Sequence, residues 1–85
     1  MFHNRFRNDL IAYMKACKDK EVEQILVQDL RHQLAEYVGS DRTKLKFAED
    51  HLKKIGFLLK ENTMAYRVNY AVIPKYLEDP HQLLL

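Results

Sequence analysis

Apolar residues recur along this chain first at the period of a helix and later at that of a strand. Phe2, Phe6, Leu10, Tyr13, Met14 and Cys17 fall three or four residues apart, which predicts a first helix over about residues 2–18. Arg5, Arg7, Asp9 and Lys15 occupy its polar face, and it runs into the charged stretch KDKE. The next stretch, VEQILVQDLRHQLAEYVG, admits two readings. Val22, Leu26, Leu30, Leu34 and Val38 keep a helical stripe throughout. Alternatively, ILV is a short strand and a helix begins near Asp29, a competent N-cap. The second helix is expected over about residues 29–38, with residues 23–28 open between strand and helix. Gly39 supplies the left-handed residue that ends it.

Ser40 and Asp41 are both good N-caps for a third helix over about residues 41–55. Its Leu45, Ala48, Leu52 and Ile55 span about 80° of a helical wheel, a core-facing stripe of ordinary width. Gly56 stops it. FLL and AYRVNYAVI then flank the polar, turn-prone Lys60-Glu61-Asn62-Thr63, where Asn62 can take a positive φ. Tyr66, Val68, Tyr70 and Val72 alternate with Arg67 and Asn69. That is the pattern of a β-hairpin over about residues 57–73 with one face on a core. Ile73 to Leu77 reads as a last helical turn with Pro74 at its first position, ended by Asp79-Pro80. The apolar tail HQLLL is expected to pack on something. The fold class is therefore α+β, a three-helix core followed by a hairpin and a short C-terminal helical turn.

Composition narrows the class. An 85-residue chain is enough for one domain and one modest core, and nothing in it reads as a repeat, a low-complexity tract or a linker. Two Gly and two Pro argue against disorder and against an all-β fold rich in tight turns. Cys17 stands alone, so no internal disulfide can form, and a reducing, cytoplasmic setting is expected. The N-terminus lacks the apolar core of a signal peptide, and no apolar run approaches the ~20 residues that span a bilayer.

Charge is unevenly placed. Residues 1–41 carry six Lys/Arg and seven Asp/Glu, residues 42–75 eight and three, and residues 76–85 none and two. A basic segment is what an anionic partner requires, although a cationic solvated surface would look the same. The crowding of Arg42, Lys44 and Lys46 at a helix N-terminus is more telling. It opposes the helix dipole by about 0.3–1 kcal/mol per cation at low salt. A polyanion would reverse that sign, with cations, dipole and free backbone N–H groups all facing phosphates.

Catalytic chemistry finds little support. His3, His32, His51 and His81 are scattered and share no metal-ligand spacing with Cys17. Ser40 reads as a cap, Asp50 and His51 are adjacent and share no helical face, and there is no Gly-rich phosphate loop. Cys17 reads as a small core residue, and Tyr66 and Tyr70 as core side chains before stacking platforms. No enzyme activity, cofactor, metal, membrane or small-molecule ligand is expected.

Leu34-Ala35-Glu36-Tyr37-Val38-Gly39-Ser40, followed by Leu45, Leu52, Gly56, Phe57 and Leu58 at matching intervals, resembles the winged helix-turn-helix family over roughly residues 29–73. The helix before Leu34-Ala35 reads a turn longer than usual there. AYRVNYAVIPKYL also resembles the end of the winged-helix domain of some plasmid replication initiators. The resemblance implies a third helix in the major groove of duplex DNA, its N-terminal residues at base edges. Arg42 and Lys46 are then candidates for guanine, Thr43 for base or phosphate, and Phe47 for a thymine methyl. Lys44, Lys53 and Lys54 complete the DNA-binding set on that helix. Lys60 and Arg67 on the hairpin would reach phosphates or the minor groove.

The expected function is non-enzymatic, sequence-specific binding of double-stranded DNA. The protein would be a homodimeric transcription regulator or an accessory factor of a plasmid or phage, nucleoid-associated in the cytoplasm. The first helix and the LLL tail are the expected dimer surfaces. The alternative is a protein-interaction module docking through the third helix and Phe47. Phe47 favours that alternative or plain packing, and Asp50 is expected to pair with Lys53 or Lys54.

Overall fold

A computed structural model of the chain describes residues 4–78. Helix α1 (Asn4–Asp19) buries each described member of the first apolar stripe: Phe6, Leu10, Tyr13, Met14 and Cys17. Phe2 lies outside the described residues. The apolar face expected to serve a dimer is thus committed to the protein's own core. The helix ends in a Schellman arrangement. Val22 N–H donates to the Cys17 carbonyl at 3.0 Å and Glu21 N–H to that of Lys18 at 3.0 Å. Glu21 holds the left-handed position (φ 54°), alone among the described non-glycine residues.

Both readings of the next segment are partly right. Strand β1 (Gln24–Leu26) runs without a loop into α2 (Val27–Val38). The helix therefore starts before Asp29, which is not its cap. Leu26 holds the cap position with no side-chain hydrogen bond. The first helical N–H, on Val27, donates instead to the Met64 carbonyl at 2.8 Å. A tertiary acceptor has replaced a local one.

Gly39 ends α2 with φ 92° and ψ 174°, an extended conformation at positive φ that is essentially reserved for glycine. A short turn over residues 39–41 leads to α3 (Arg42–Lys54). Gly56 (φ 88°) closes α3 as Glu21 closes α1, with Phe57 N–H donating to the Leu52 carbonyl at 3.0 Å.

Strands β2 (Leu58–Lys60) and β3 (Ala65–Val68) form the expected hairpin, shorter than residues 57–73. β1 joins it, giving a three-stranded antiparallel sheet of order β1-β3-β2. Ile25 pairs with Tyr66 and Leu58 with Val68, and all four are buried. Gln24, Arg67 and Leu59 form a row on the outer face, where Arg67 and Leu59 are exposed. At the tip, Asn62 does not take positive φ; its side-chain oxygen accepts from Met64 N–H at 2.8 Å instead. The chain leaves the sheet after Val68 because Asn69 builds a turn, its side chain accepting from Ala71 N–H at 3.1 Å.

Tyr70 and Val72 therefore do not extend the strand. The Tyr70 hydroxyl meets the carbonyls of Cys17 and Val22, and Val72 opens α4 (Val72–Glu78). Pro74 is the third residue of α4 rather than its first, still within the first turn, where its missing N–H costs nothing. α4 packs on α1, and Arg7 donates to the carbonyls of Tyr76 and Leu77 at 3.2 and 3.3 Å. Asp79-Pro80 and the HQLLL tail lie outside the described residues. The described residues form a mixed α+β fold of four helices and one small sheet around a single core. No helix among the described residues is long and apolar enough to cross a membrane.

Candidate nucleic-acid interface

The residues expected to meet DNA lie mostly on α3, and its start is set by Asp41. One carboxylate oxygen of Asp41 accepts from Thr43 N–H at 2.8 Å and Lys44 N–H at 3.2 Å. Two of the backbone donors expected to face phosphates are therefore already taken. The same negative charge offsets the three cations that follow it, so folding does contribute to this arrangement.

The helix has two unlike faces. Leu45, Ala48, Glu49, His51 and Leu52 are buried. Arg42, Thr43, Lys46, Asp50, Lys53 and Lys54 are exposed, and Lys44 is half-buried. Lys53 lies 3.7 Å from Asp50, the expected pairing, and its ammonium stands 5.9 Å from the centre of the Tyr66 ring. Neither Arg42, Lys46 nor Lys54 forms an ion pair with any described residue. Lys60 ends β2 and Arg67 lies mid-way along β3, both exposed.

Phe47 is not a bare knob. It is half-buried, its ring 5.5 Å from Phe6 and 5.8 Å from His51, nearly parallel to the latter. His51 in turn meets Tyr76 edge-on at 5.8 Å, with the Tyr76 hydroxyl 3.4 Å from Nε2. This aromatic chain fastens α3 to α1 and α4. Burial, then the Lys54 charge, holds the His51 imidazole below the ordinary histidine range. Burial likewise raises the Tyr76 hydroxyl above its usual range.

Two residues outside the expected set adjoin this candidate face. Glu49 is buried yet fully partnered. One oxygen accepts from Arg31 Nε at 2.9 Å and the other from the Tyr66 hydroxyl at 3.0 Å. A single carboxylate thus ties α2, α3 and β3 together. Burial, then the hydrogen bond to Glu49, raises the Tyr66 hydroxyl above its ordinary range. The hydrogen bond to Glu49, then its charge, holds the Arg31 proton more firmly still. Arg31 brings a guanidinium from α2 to an open hollow shared with Arg42, Thr43, Lys46, Phe47 and Asp50.

The signal for Glu49 was in the sequence. Residues 45, 48, 49 and 52 share a helical face, so a carboxylate among Leu45, Ala48 and Leu52 must find donors. Arg31 carried no such mark. Among the described residues no three His, Cys, Asp or Glu side chains are grouped to hold a metal. Cys17 is buried, and burial raises its thiol above the ordinary range. Comparison with protein-family models, with curated proteins and with solved structures finds no match in any of the three.

Proposed function

We propose that this chain is a winged helix-turn-helix protein that binds double-stranded DNA through α3, without enzymatic activity. The element order, the short turn between α2 and α3 and the strand order β1-β3-β2 are compatible with that architecture. In this reading α3 is the recognition helix and the β2–β3 hairpin is the wing, carrying Lys60 and Arg67. The observation that carries the proposal is the outer face of α3. Arg42, Lys46 and Lys54 stand in solvent with no ion pair to any described residue, while the opposite face anchors the helix. Unpaired cations on a rigid helix are suited to neutralising phosphates and reading guanine edges. Phe47, committed to Phe6 and His51, is a weaker candidate for a thymine methyl than Arg42 or Lys46 for guanine.

The biological role this supports is a small transcription regulator or an accessory factor of a mobile element. A two-fold dimer would set two α3 helices one DNA turn apart on a palindromic site. Its surface must be sought outside the apolar stripe of α1.

Random-duplex selection followed by binding at a series of salt concentrations tests the proposal. An enriched motif is expected, with log K falling against log salt at a slope of about −5 if six phosphates are contacted. Lys46→Glu should abolish retention. No enrichment and no affinity at low salt would transfer the function to protein–protein docking. The exposed Leu26, Val27, Leu59 and Met64 on β1, the start of α2 and the hairpin favour that second reading more than Phe47 does.

A further inference from the structure

One cation beside α3 is fastened in place while remaining open to solvent. Arg31 Nε is held by Glu49 at 2.9 Å, and Glu49 is itself held through its second oxygen by the Tyr66 hydroxyl at 3.0 Å. Glu49 is buried, so this anchor belongs to the core rather than to a mobile surface pair. The Arg31 side chain nevertheless keeps 52% of its surface exposed. With Nε committed, the guanidinium still has the donors of its two terminal nitrogens to offer. Around the same hollow stand Arg42, Thr43 and Lys46. Besides Glu49, which holds Arg31 from the core side, Asp50 lines the hollow and lies 3.7 Å from Lys53, which offsets its charge.

Resting on the reading of α3 as the DNA-facing helix, we propose that Arg31 is a phosphate-binding residue. The hollow between α2 and α3 seats one backbone phosphate of the duplex, against a guanidinium held in advance by Glu49 and Tyr66. A forked donor whose rotamer is already set loses little freedom on binding, and guanidinium–phosphate hydrogen bonds are charge-assisted. Arg31 thereby sets the register of α3 on the duplex without reading sequence.

The test measures anisotropy of a labelled duplex, selected and mixed-sequence, across a salt series. Arg31→Gln is expected to lower affinity about tenfold on both duplexes and to make the salt slope shallower by about one. Wild-type affinity and slope in Arg31→Gln, with Lys46→Glu still losing retention, would overturn the role of Arg31 and leave the DNA reading standing. A loss confined to the selected duplex would overturn it too, because it would mean a base contact. Absence of binding by the wild-type chain would overturn both. Should Arg31→Gln fail to fold, the wild-type protein supplies the answer. The Arg31 Nε–H resonance should shift as duplex is added, and one unmoved at saturation would refute the proposal.

Discussion

The two faces of α3 both carry polar side chains and treat them in opposite ways. On the inner face Glu49 and His51 are buried, and both have named partners, Arg31 and Tyr66 for the one and Tyr76 for the other. On the outer face Arg42, Lys46 and Lys54 are exposed and form no ion pair with any described residue. Burial compels a polar group to be satisfied within the protein, whereas water satisfies an exposed one at no cost. The inner face is accordingly specified by the fold. The outer face is left free to be specified by something else.

That contrast can be broken by mutation. Leu52→Ala on the inner face should cost about 2–5 kcal/mol in denaturant unfolding, since Leu52 is fully buried. Lys46→Glu on the outer face should stay within about 0.5 kcal/mol. Similar costs for the two would mean that the outer face is structural.

Glu49→Leu sharpens the comparison, because it leaves the Tyr66 hydroxyl without its acceptor. We expect a loss of about 1–3 kcal/mol. Adding Tyr66→Phe should recover much of it, as removing both partners of a buried hydrogen bond is far milder than removing one. A double variant as unstable as the two losses summed would show that Glu49 acts through Arg31 alone.

The smallest effect concerns His51. Its folded imidazole titrates below its unfolded value, so the unfolded chain binds the proton more readily. The His51 contribution is intact above the ordinary histidine pKa of about 6.5. It is lost as pH falls through that value toward the depressed one. Unfolding measured from neutral pH to about pH 5 should show this decline, and His51→Phe should flatten it. A wild-type profile already flat over that range would remove His51 from the account.

Where sequence reasoning succeeded, the structure-forming information was local. The stripe Leu45, Ala48 and Leu52, the Asp41 cap and the two glycines all act within a few residues of themselves, and each sits where expected. Where it fell short, the deciding partner was distant. Residues 24–26 are a strand because β3 lies beside them, and nothing within QIL dictates that. Tyr70 and Val72 keep the alternation of β3 yet lie beyond the sheet, since the Asn69 turn competes with a two-residue period and wins. Glu21 adopts positive φ although nothing in its residue type announces it. Of the candidate site, the exposed cations of α3 were legible from the helical wheel. The Arg31–Glu49–Tyr66 chain was not, because its members come from three elements.

The hydrogen bond from Val27 N–H to the Met64 carbonyl has a consequence for how the chain matures on the ribosome. α2 is synthesised well before the residue that completes its first turn, and β1 well before the strand it pairs with. Until residue 64 has been made, the first N–H of α2 and the pairing edge of β1 lack the partners that the folded protein gives them.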